Sequence, residues 1–280
     1  MTGMDRQRPE AAPDGAIEPV VNAVWIGAAL DDLHAACLRS FVLAGHRVHL
    51  HCYDIPRNVP PGVETVDASN LMAKDRIVHY RSNGSPSLFS NLYRLKILEA
   101  GLGLYVDCDV FCLKPIPKQD YIFGYQSSDQ LNGAVLKLPA GSRTLLEMLK
   151  FAEDPYYIVP WLNRSKLMRY RLRKFIGLPI HISNYSWGRL GPEALTYFAS
   201  RAGDIGHAVP IDVFYPLSHH QVAMLLDPDL SLSDIGTTRT LCIHLFDHTL
   251  RHWMMDRAVP QGSPLAQMLE RCGLSVAVGS

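Results

Sequence analysis

The sequence predicts an α/β protein with a central, mostly parallel sheet flanked by helices. Strand-like and helix-like segments alternate through the first half of its 280 residues, a pattern typical of parallel sheets. The composition is 48% hydrophobic and 19% charged, as in an ordinary globular domain with a buried core. Lys plus Arg (27) equal Asp plus Glu (27), so we expect no nucleic-acid partner, because such proteins carry a basic surplus.

The first half contains the clearest elements. An apolar run at 20–26 predicts a buried strand that ends before Gly27. Residues 31–44 follow with apolar side chains at helical spacing, and the helix stops at Gly45. Residues 47–53 alternate apolar side chains with histidines, as a strand does.

A second helix begins at Ser85-Pro86, because serine is a favoured N-cap and proline is favoured in the first turn. It runs to about residue 100, and a short strand at 104–106 follows it. Ligands gather at the carboxyl ends of parallel strands, so the residues after 106 are candidates for a site.

The second half is less regular, and its elements rest on shorter patterns. They are strands at 133–138, 205–215 and 240–245, and helices at 142–152, 191–202 and 264–272.

The lack of targeting signals and the pattern of cysteines both indicate the same compartment. No stretch approaches the ~20 apolar residues of a membrane span, and residues 1–16 lack the apolar region of a secretory signal. Six cysteines are scattered without a CxxC pair, as in proteins of a reducing compartment. We therefore expect a cytoplasmic protein.

The most informative segment is 90–115, where an apolar strand ends in Asp107-Cys108-Asp109. Carboxylates two positions apart on a regular strand point to opposite faces, so these two converge on one cation only if the strand breaks there. Carboxylate oxygens suit Mg²⁺ or Mn²⁺, which can bridge a diphosphate. The alternative is a turn or a solvated strand end without chemistry.

The helix before this pair is apolar around most of its circumference, yet it carries Asn91 and Arg94 on one face. A buried arginine must be paired or hydrogen-bonded. Arg94 is therefore either a structural partner of a carboxylate such as Asp107 or a donor to a ligand hydroxyl or phosphate beside the metal.

This segment resembles the DxD sugar transferases, a family that includes initiating α-1,6-mannosyltransferases, α-1,4-galactosyltransferases and capsular polysaccharide transferases. The residues that match at the family spacing are Ser90, Arg94, Leu98, Gly103, Tyr105, Asp107 and Asp109. Asn91 stands where the family has Asp, and Leu102 replaces a Gly. Shorter similarities follow in family order over residues 20–250, at Trp25-Ile26-Gly27, Asn132-Gly133, Gly191-Pro192 and His244.

The resemblance implies a GT-A-like nucleotide-diphosphosugar transferase fold and a division of the chain. We expect a disordered tail at 1–17, one catalytic domain at 18–262, and a C-terminal helix and tail at 263–280. Within the domain, 18–125 would form the nucleotide-sugar-binding lobe and 126–262 the acceptor-side lobe.

The resemblance also implies residue roles. Asp109 would ligate Mn²⁺ or Mg²⁺ directly, Asp107 would touch the ribose or the metal through water, and His244 would be the last protein ligand. The donor, a UDP- or GDP-hexose, would meet Trp25, Asn91, Arg94, Tyr105, Asp107 and Asn132. Its hexose would pass with retention of configuration to a saccharide or glycolipid acceptor. For a nucleophile, Asp129, Glu193, Asp212 and Asp247 remain open, as does same-face attack by the acceptor without a nucleophile.

Two other classes remain open, and one is disfavoured. Asn91 and Leu102 are compatible with a non-catalytic relative that binds nucleotide or glycan. Residues 163–176 hold six Lys/Arg between apolar residues, which predicts either a solvated helix or a basic surface for an anionic acceptor or membrane. Arg169, Arg171 and Arg173 would carry that contact, and a cytoplasmic transferase would then lie peripherally at the inner membrane face. A peripheral membrane assembly protein that docks through the same surface is the second alternative class. A zinc hydrolase built on His244, His248 and His252 is disfavoured because no HExxH motif is present.

Overall fold

The computed structural model describes residues 19–82, 84–186, 188–255 and 258–274. The predicted tail at 1–17 and the last residues of the predicted C-terminal tail lie outside the described residues. The division of the chain at residue 125 into two lobes stays a prediction.

The strands and helices alternate as the sequence predicts. The strands are, in chain order, β1 (Val21–Trp25), β2 (Val48–Cys52), β3 (Val63–Asp67), β4 (Leu104–Val106), β5 (Val110–Cys112), β6 (Ile122–Tyr125), β7 (Leu131–Lys137) and β8 (Cys242–His244). The helices are α1 (Asp32–Leu43), α2 (Ser87–Glu99), α3 (Arg143–Glu153), α4 (Arg164–Phe175), α5 (Pro192–Ala202), α6 (Ile211–Phe214), α7 (Asp247–Met254) and α8 (Pro264–Arg271).

Within the described residues, the main sheet has six strands in the order β3-β2-β1-β4-β7-β6. Parallel pairs join β3 to β2, β2 to β1 and β1 to β4, whereas β7 is antiparallel to both of its neighbours. Five of these strands therefore run in one direction. The predicted α/β class with a mostly parallel central sheet is confirmed.

Helices cover both faces of this sheet because its strands are apolar on both sides. In β1, Val21 and Ala23 pack in one apolar cluster with residues of α1, whereas Val24 packs in another with residues of α2, α3 and α5. A third cluster joins α1, α7 and α8 to the short strands β5 and β8. The main sheet is thus the middle layer of three, and its carboxyl edge is left to the loops.

A second, two-stranded sheet pairs β5 with β8, which lies more than 120 residues further along the chain. The pairing is antiparallel and sets Val110 opposite His244. This register matters for function, because β5 begins directly after Asp107-Cys108-Asp109.

The prediction of a strand at 205–215 is wrong. The structure has a 3₁₀ turn at Asp204–His207 and the single helical turn α6 in its place. Val209 alone bridges to Gly124 of β6. Pro210 has no N–H to donate to a ladder, so the chain leaves the sheet after one residue and turns into α6.

None of the helices in the described part of the chain is long and apolar enough to cross a membrane.

Candidate functional site

The two carboxylates of Asp107-Cys108-Asp109, called here the DCD motif, converge because β4 ends before them. Strand β4 ends at Val106, and the Asp107 N–H donates to the Ala134 carbonyl (2.8 Å) as the last link to β7. The chain then turns, with the Val110 N–H donating to the Asp107 carbonyl (3.2 Å), and β5 starts. The alternation of a regular strand is broken between the two aspartates, as convergence on one cation requires.

The late strand β8 brings His244 to Asp109. The Nε2 atom of His244 lies 3.2 Å from Asp109 Oδ2, and both side chains are mostly buried. The same carboxylate oxygen accepts the Asp247 N–H (3.0 Å) at the start of α7. Asp109 is therefore held by an imidazole and by a helix N-terminus at once.

The electrostatics of this pair follow from burial and proximity. Burial raises the pKa of Asp109, but the neighbouring His244 and the Asp247 N–H outweigh it and hold the pKa well below its usual range. Burial lowers the pKa of His244, and the Asp109 carboxylate more than reverses this, so its pKa is raised. Asp109 is thus an anion throughout the physiological range.

Asp107, Asp109 and His244 form a group that could hold a metal ion. One ligand atom from each lies within 4.8 Å of the others. Two atoms bound at about 2.1 Å to one ion lie no more than about 4.2 Å apart, a condition that Asp109 and His244 meet as they stand. Among the described residues the buried Nδ1 of His244 has no hydrogen-bond partner, and the imidazole makes its polar contact with Asp109 through Nε2. Two carboxylates and an imidazole fit Mn²⁺, which accepts nitrogen as well as oxygen ligands.

A buried arginine holds the first carboxylate. Arg94 donates from Nη2 to Asp107 Oδ1 (2.9 Å) and Oδ2 (3.3 Å), and its guanidinium lies over the Tyr105 ring at 4.7 Å. The Tyr105 hydroxyl donates to Asp107 Oδ1 (2.7 Å). The structural partner considered for Arg94 in the sequence is therefore present, and Oδ2 of Asp107 is the less engaged oxygen.

Two glycines make room for the polar face of α2. A Cβ at Gly133 would lie 2.6 Å from Arg94 Nη1, and a Cβ at Gly191 would lie 3.0 Å from Asn91 Oδ1. These glycines belong to the short Asn132-Gly133 and Gly191-Pro192 similarities, whose spatial relation the sequence does not reveal. Asn91 and Arg94 are buried, so the close approach of the backbone is required.

Trp25 ends β1 next to a group of polar residues. Its ring lies 4.6 Å from the His34 ring, and its buried Nε1 has no hydrogen-bond partner among the described residues. His34 Nδ1 lies 2.9 Å from Asp31 Oδ1, and His34 Nε2 lies 3.9 Å from Asp247 Oδ2. Arg251 forms ion pairs with Asp31 and Asp247, with an N–O distance of 2.6 Å in each.

Sequence reasoning missed His34, Asp31 and Arg251. The sequence pattern predicts only a helix start at Asp31 and His34, and Arg251 belongs to α7, a helix that the sequence does not predict. No local signal joins residues 220 positions apart, so only the packing of α1 against α7 reveals this group.

The remaining predicted residues lie in other surroundings. The Asn132 side chain donates to Gln126 Oε1 (2.6 Å) and accepts from the Ala134 N–H (2.8 Å), which fixes its orientation. Arg169, Arg171 and Arg173 are exposed on α4. Arg169 lies over the Tyr170 ring, and Arg173 donates to the Leu178 carbonyl just after the helix.

The four nucleophile candidates differ in their contacts. Asp129 accepts a hydrogen bond from Ser127, Glu193 pairs with Arg189 and accepts from Trp161, and Asp212 accepts from Arg239 and Thr237. Asp247 is the candidate whose described contacts include a residue of the candidate metal-binding group, because its N–H donates to Asp109.

Together, the fold and the site define an α/β protein with a candidate divalent-metal centre at the carboxyl edge of its sheet. No family model and no curated protein matches the sequence. Among solved structures, the chain is similar to one named PaToxG glycosyltransferase, with 11% identity, a TM-score of 0.41, and coverage of 93% of this chain and 80% of that one. A second, described as a transferase mutant, is 12% identical with a TM-score of 0.36, covering 67% of this chain and 96% of that one.

Proposed function

We propose that the protein is a metal-dependent, retaining glycosyltransferase of GT-A-like fold that moves a hexose from a nucleotide-diphosphate sugar to a saccharide or glycolipid acceptor. The observation that carries the proposal is the convergence of Asp107, Asp109 and His244 just after β4 ends. It supplies the ligand chemistry that a diphosphate-bridging cation needs, in the place where α/β sheets bind ligands. The sequence resemblance assigns the same three residues to that role.

Asp109 and His244 would hold Mn²⁺, with Asp107 contributing directly or through water. When bound, the metal would stabilise the negative charge that develops on the diphosphate leaving group. Asp109 suits this task because its pKa is well below its usual range, so it needs no deprotonation before binding. The Asp247 N–H and Arg94 keep the two carboxylates oriented.

The donor sugar and base would contact the rest of the group. Asn91 and Arg94 lie three positions apart on α2, and Arg94 contacts Asp107. The amide and the guanidinium would donate to sugar hydroxyls or phosphate there. Trp25 Nε1 has no hydrogen-bond partner in the described part of the chain, so it and the Trp25 ring would offer a donor and a stacking face for the base. Of the candidate nucleophiles, Asp247 is the one that this geometry favours.

The direct test is donor hydrolysis by the purified protein across UDP- and GDP-hexoses, with and without Mn²⁺. We expect release of UDP or GDP from one donor, dependent on the metal. Asp109→Asn should lower this rate by at least about a hundredfold because a direct ligand of the metal is changed. Asp229→Asn removes an exposed carboxylate elsewhere and should retain the wild-type rate.

Three outcomes would contradict the proposal. Turnover that chelators leave unaffected would contradict the proposed metal dependence. Wild-type turnover in Asp109→Asn would contradict the assignment of Asp109 as a metal ligand. Tight binding of a nucleotide without turnover, even with oligosaccharide and glycolipid acceptors present, would identify the non-catalytic binding relative instead.

A further inference from the structure

One stretch of this neutral chain is strongly basic. Residues 155–192 contain seven Lys/Arg and no Asp or Glu, although the chain as a whole has a net charge of zero. Six of these seven lie on helix α4 or at its start. Residues 171–178 are all exposed. The charge is therefore concentrated on one surface element, where its field adds up.

Helix α4 is attached to the body of the protein along one side only. Leu167 and Tyr170 pack against the main apolar cluster, and the Tyr170 ring lies 5.8 Å from that of Tyr185. Lys174 pairs with Asp154 (2.9 Å) and donates to the Tyr156 carbonyl (3.1 Å). These contacts fix the orientation of the helix, and none of its residues is fully buried.

The opposite side of α4 is apolar and exposed. The residues of this side are Met168 (67% exposed), Leu172 (58%), Phe175 (88%) and Ile176 (56%), and Leu178 (57%) follows them. At roughly 100° per residue, the first four fall within one stripe of about 100° on the helix surface. Arg164 and Arg171 border the stripe on one side, and Arg169 and Arg173 border it on the other. We call these residues the α4 surface.

We propose that the α4 surface docks the protein on an anionic lipid bilayer, with the apolar stripe inserted at the headgroup boundary and the arginines on lipid phosphates. An exposed apolar stripe between two basic borders is the pattern of helices that lie in a membrane interface. Arginine has the length to keep its charge among the headgroups while its methylenes follow the stripe. Docking does not depend on the proposed transferase activity, because it requires no turnover.

Two other occupants fit these observations less well. An anionic polysaccharide would use the arginines but would leave Phe175 and Leu172 in water, where such apolar area is costly to keep. A second copy of the chain would bring two clusters of like charge together, which opposes association. The bilayer satisfies the charges and the stripe at once.

The test is co-sedimentation of the full chain with vesicles of phosphatidylcholine alone and of phosphatidylcholine mixed with phosphatidylglycerol. We expect binding to the mixed vesicles, at least tenfold weaker binding to the neutral ones, and loss of binding in about 1 M salt, where charges are screened within about 3 Å. Replacing Arg169, Arg171 and Arg173 by Gln should weaken partitioning on the order of a hundredfold, from the usual contribution of each basic residue near a membrane. Phe175→Ser should weaken it by about tenfold or more, because one apolar anchor is lost.

Matched controls separate this surface from general charge and hydrophobicity. Replacing the exposed Arg57, Arg76 and Arg143 by Gln makes the same change in net charge elsewhere. Ile55→Ser removes a comparably exposed apolar side chain (74%). Both controls should bind like the wild type, and circular dichroism should show all four variants folded, since every substituted side chain is exposed.

Equal effects of the control and α4 triple variants would overturn the proposal, because bulk charge would then explain the binding. So would binding that Phe175→Ser leaves unchanged. Arginine-dependent retention on immobilised heparin, without vesicle binding, would identify an anionic glycan as the occupant. Dimerisation that Phe175→Ser abolishes, again without vesicle binding, would identify a second copy.

Discussion

Arg94 is the residue on which the geometry of the site most depends. It is buried in α2, pairs with Asp107 and lies over Tyr105. A buried charge that loses its partner costs about 3–5 kcal/mol, so α2 and the DCD motif are locked together. The sequence predicts both that this arginine is buried and that Asp107 is a candidate partner. It does not predict that Gly133 of β7 lies against the guanidinium, because that contact depends on tertiary packing.

Gly133→Ala tests this lock without changing any polar group. The new Cβ would lie 2.6 Å from Arg94 Nη1, so the guanidinium must shift relative to Asp107, whose partner is the other terminal nitrogen, Nη2. Since the far end of a long side chain yields easily, we expect the free energy of unfolding to fall by less than about 1.5 kcal/mol. Donor turnover should fall about ten- to hundredfold, as it does when catalytic groups shift by an ångström.

The control is Gly206→Ala, a position where an added Cβ meets no atom within 4 Å. It should leave both stability and turnover as they are. If Gly133→Ala kept wild-type turnover with Arg94 displaced, the placement of Arg94 would not matter for the reaction.

At the scale of elements, helices α1 and α7 meet beside the candidate metal-binding group of Asp107, Asp109 and His244. Asp31 caps α1 by accepting the His34 N–H (3.0 Å) and pairs with Arg251 of α7 (2.6 Å). The cap contact is local, whereas the ion pair is between side chains that are nearly half exposed. Exposed ion pairs contribute little to stability, so the cap should dominate.

The cap and the ion pair can be separated at Asp31. Asp31→Ala removes both, and we expect it to lower the free energy of unfolding by about 1–2 kcal/mol. Asp31→Asn keeps a good cap and loses only the charge, so it should cost less than about 1 kcal/mol. Asp32→Asn serves as the control, because it makes the same change in net charge one position further on, at a residue that does not cap the helix. Urea denaturation measures all three, and equal losses in both Asp31 variants would show that the ion pair dominates.

Elements with a strong period were predictable, and those that tertiary contacts create were not. The strand β1 and the helices α1 and α2 match the predicted segments because apolar residues repeat over two or more turns or along a whole strand. The strand β5 has three residues and gains its pairing only from β8, so no local pattern marks it. The segment 205–215 is apolar enough for a strand, but its residues form a 3₁₀ turn and α6 instead.

The same limit applies to the site. The DCD motif, Arg94 and His244 stand out by motif or resemblance, whereas His34 and Arg251 reach the site only through the contact of α1 with α7. A local pattern reports on neighbours within a few residues, and these contacts span the length of the chain.

At the scale of the whole molecule, buried histidines make stability depend on pH. His51 of β2 is 1% exposed, and its ring lies between Asn22 Oδ1 (3.0 Å) and the Tyr93 hydroxyl (3.1 Å). Burial lowers its pKa to about 4. The pKa values of His46 and His49 are lowered as well, also by burial first.

A histidine with a lowered pKa stays neutral in the folded state while the unfolded chain takes up a proton. As the pH falls from about 6.5 to about 4, the unfolded state therefore binds more protons and the free energy of unfolding decreases. For His51 alone the loss is up to about 3 kcal/mol at the acid end. Denaturation at a series of pH values should show this decrease, and His51→Gln should have a shallower slope between those limits. An identical slope in His51→Gln would assign the dependence to other groups.

Binding of Mn²⁺ itself tests the proposed metal site most directly. Electron paramagnetic resonance would measure it on the wild type, Asp109→Asn, His244→Gln and His252→Gln, the last being a control at an exposed histidine. We expect one tight Mn²⁺ per wild-type chain, at least tenfold weaker binding in Asp109→Asn and His244→Gln, and unchanged binding in His252→Gln. Absence of a tight site in the wild type, or equal binding in all four proteins, would contradict the assignment of Asp109 and His244 as metal ligands.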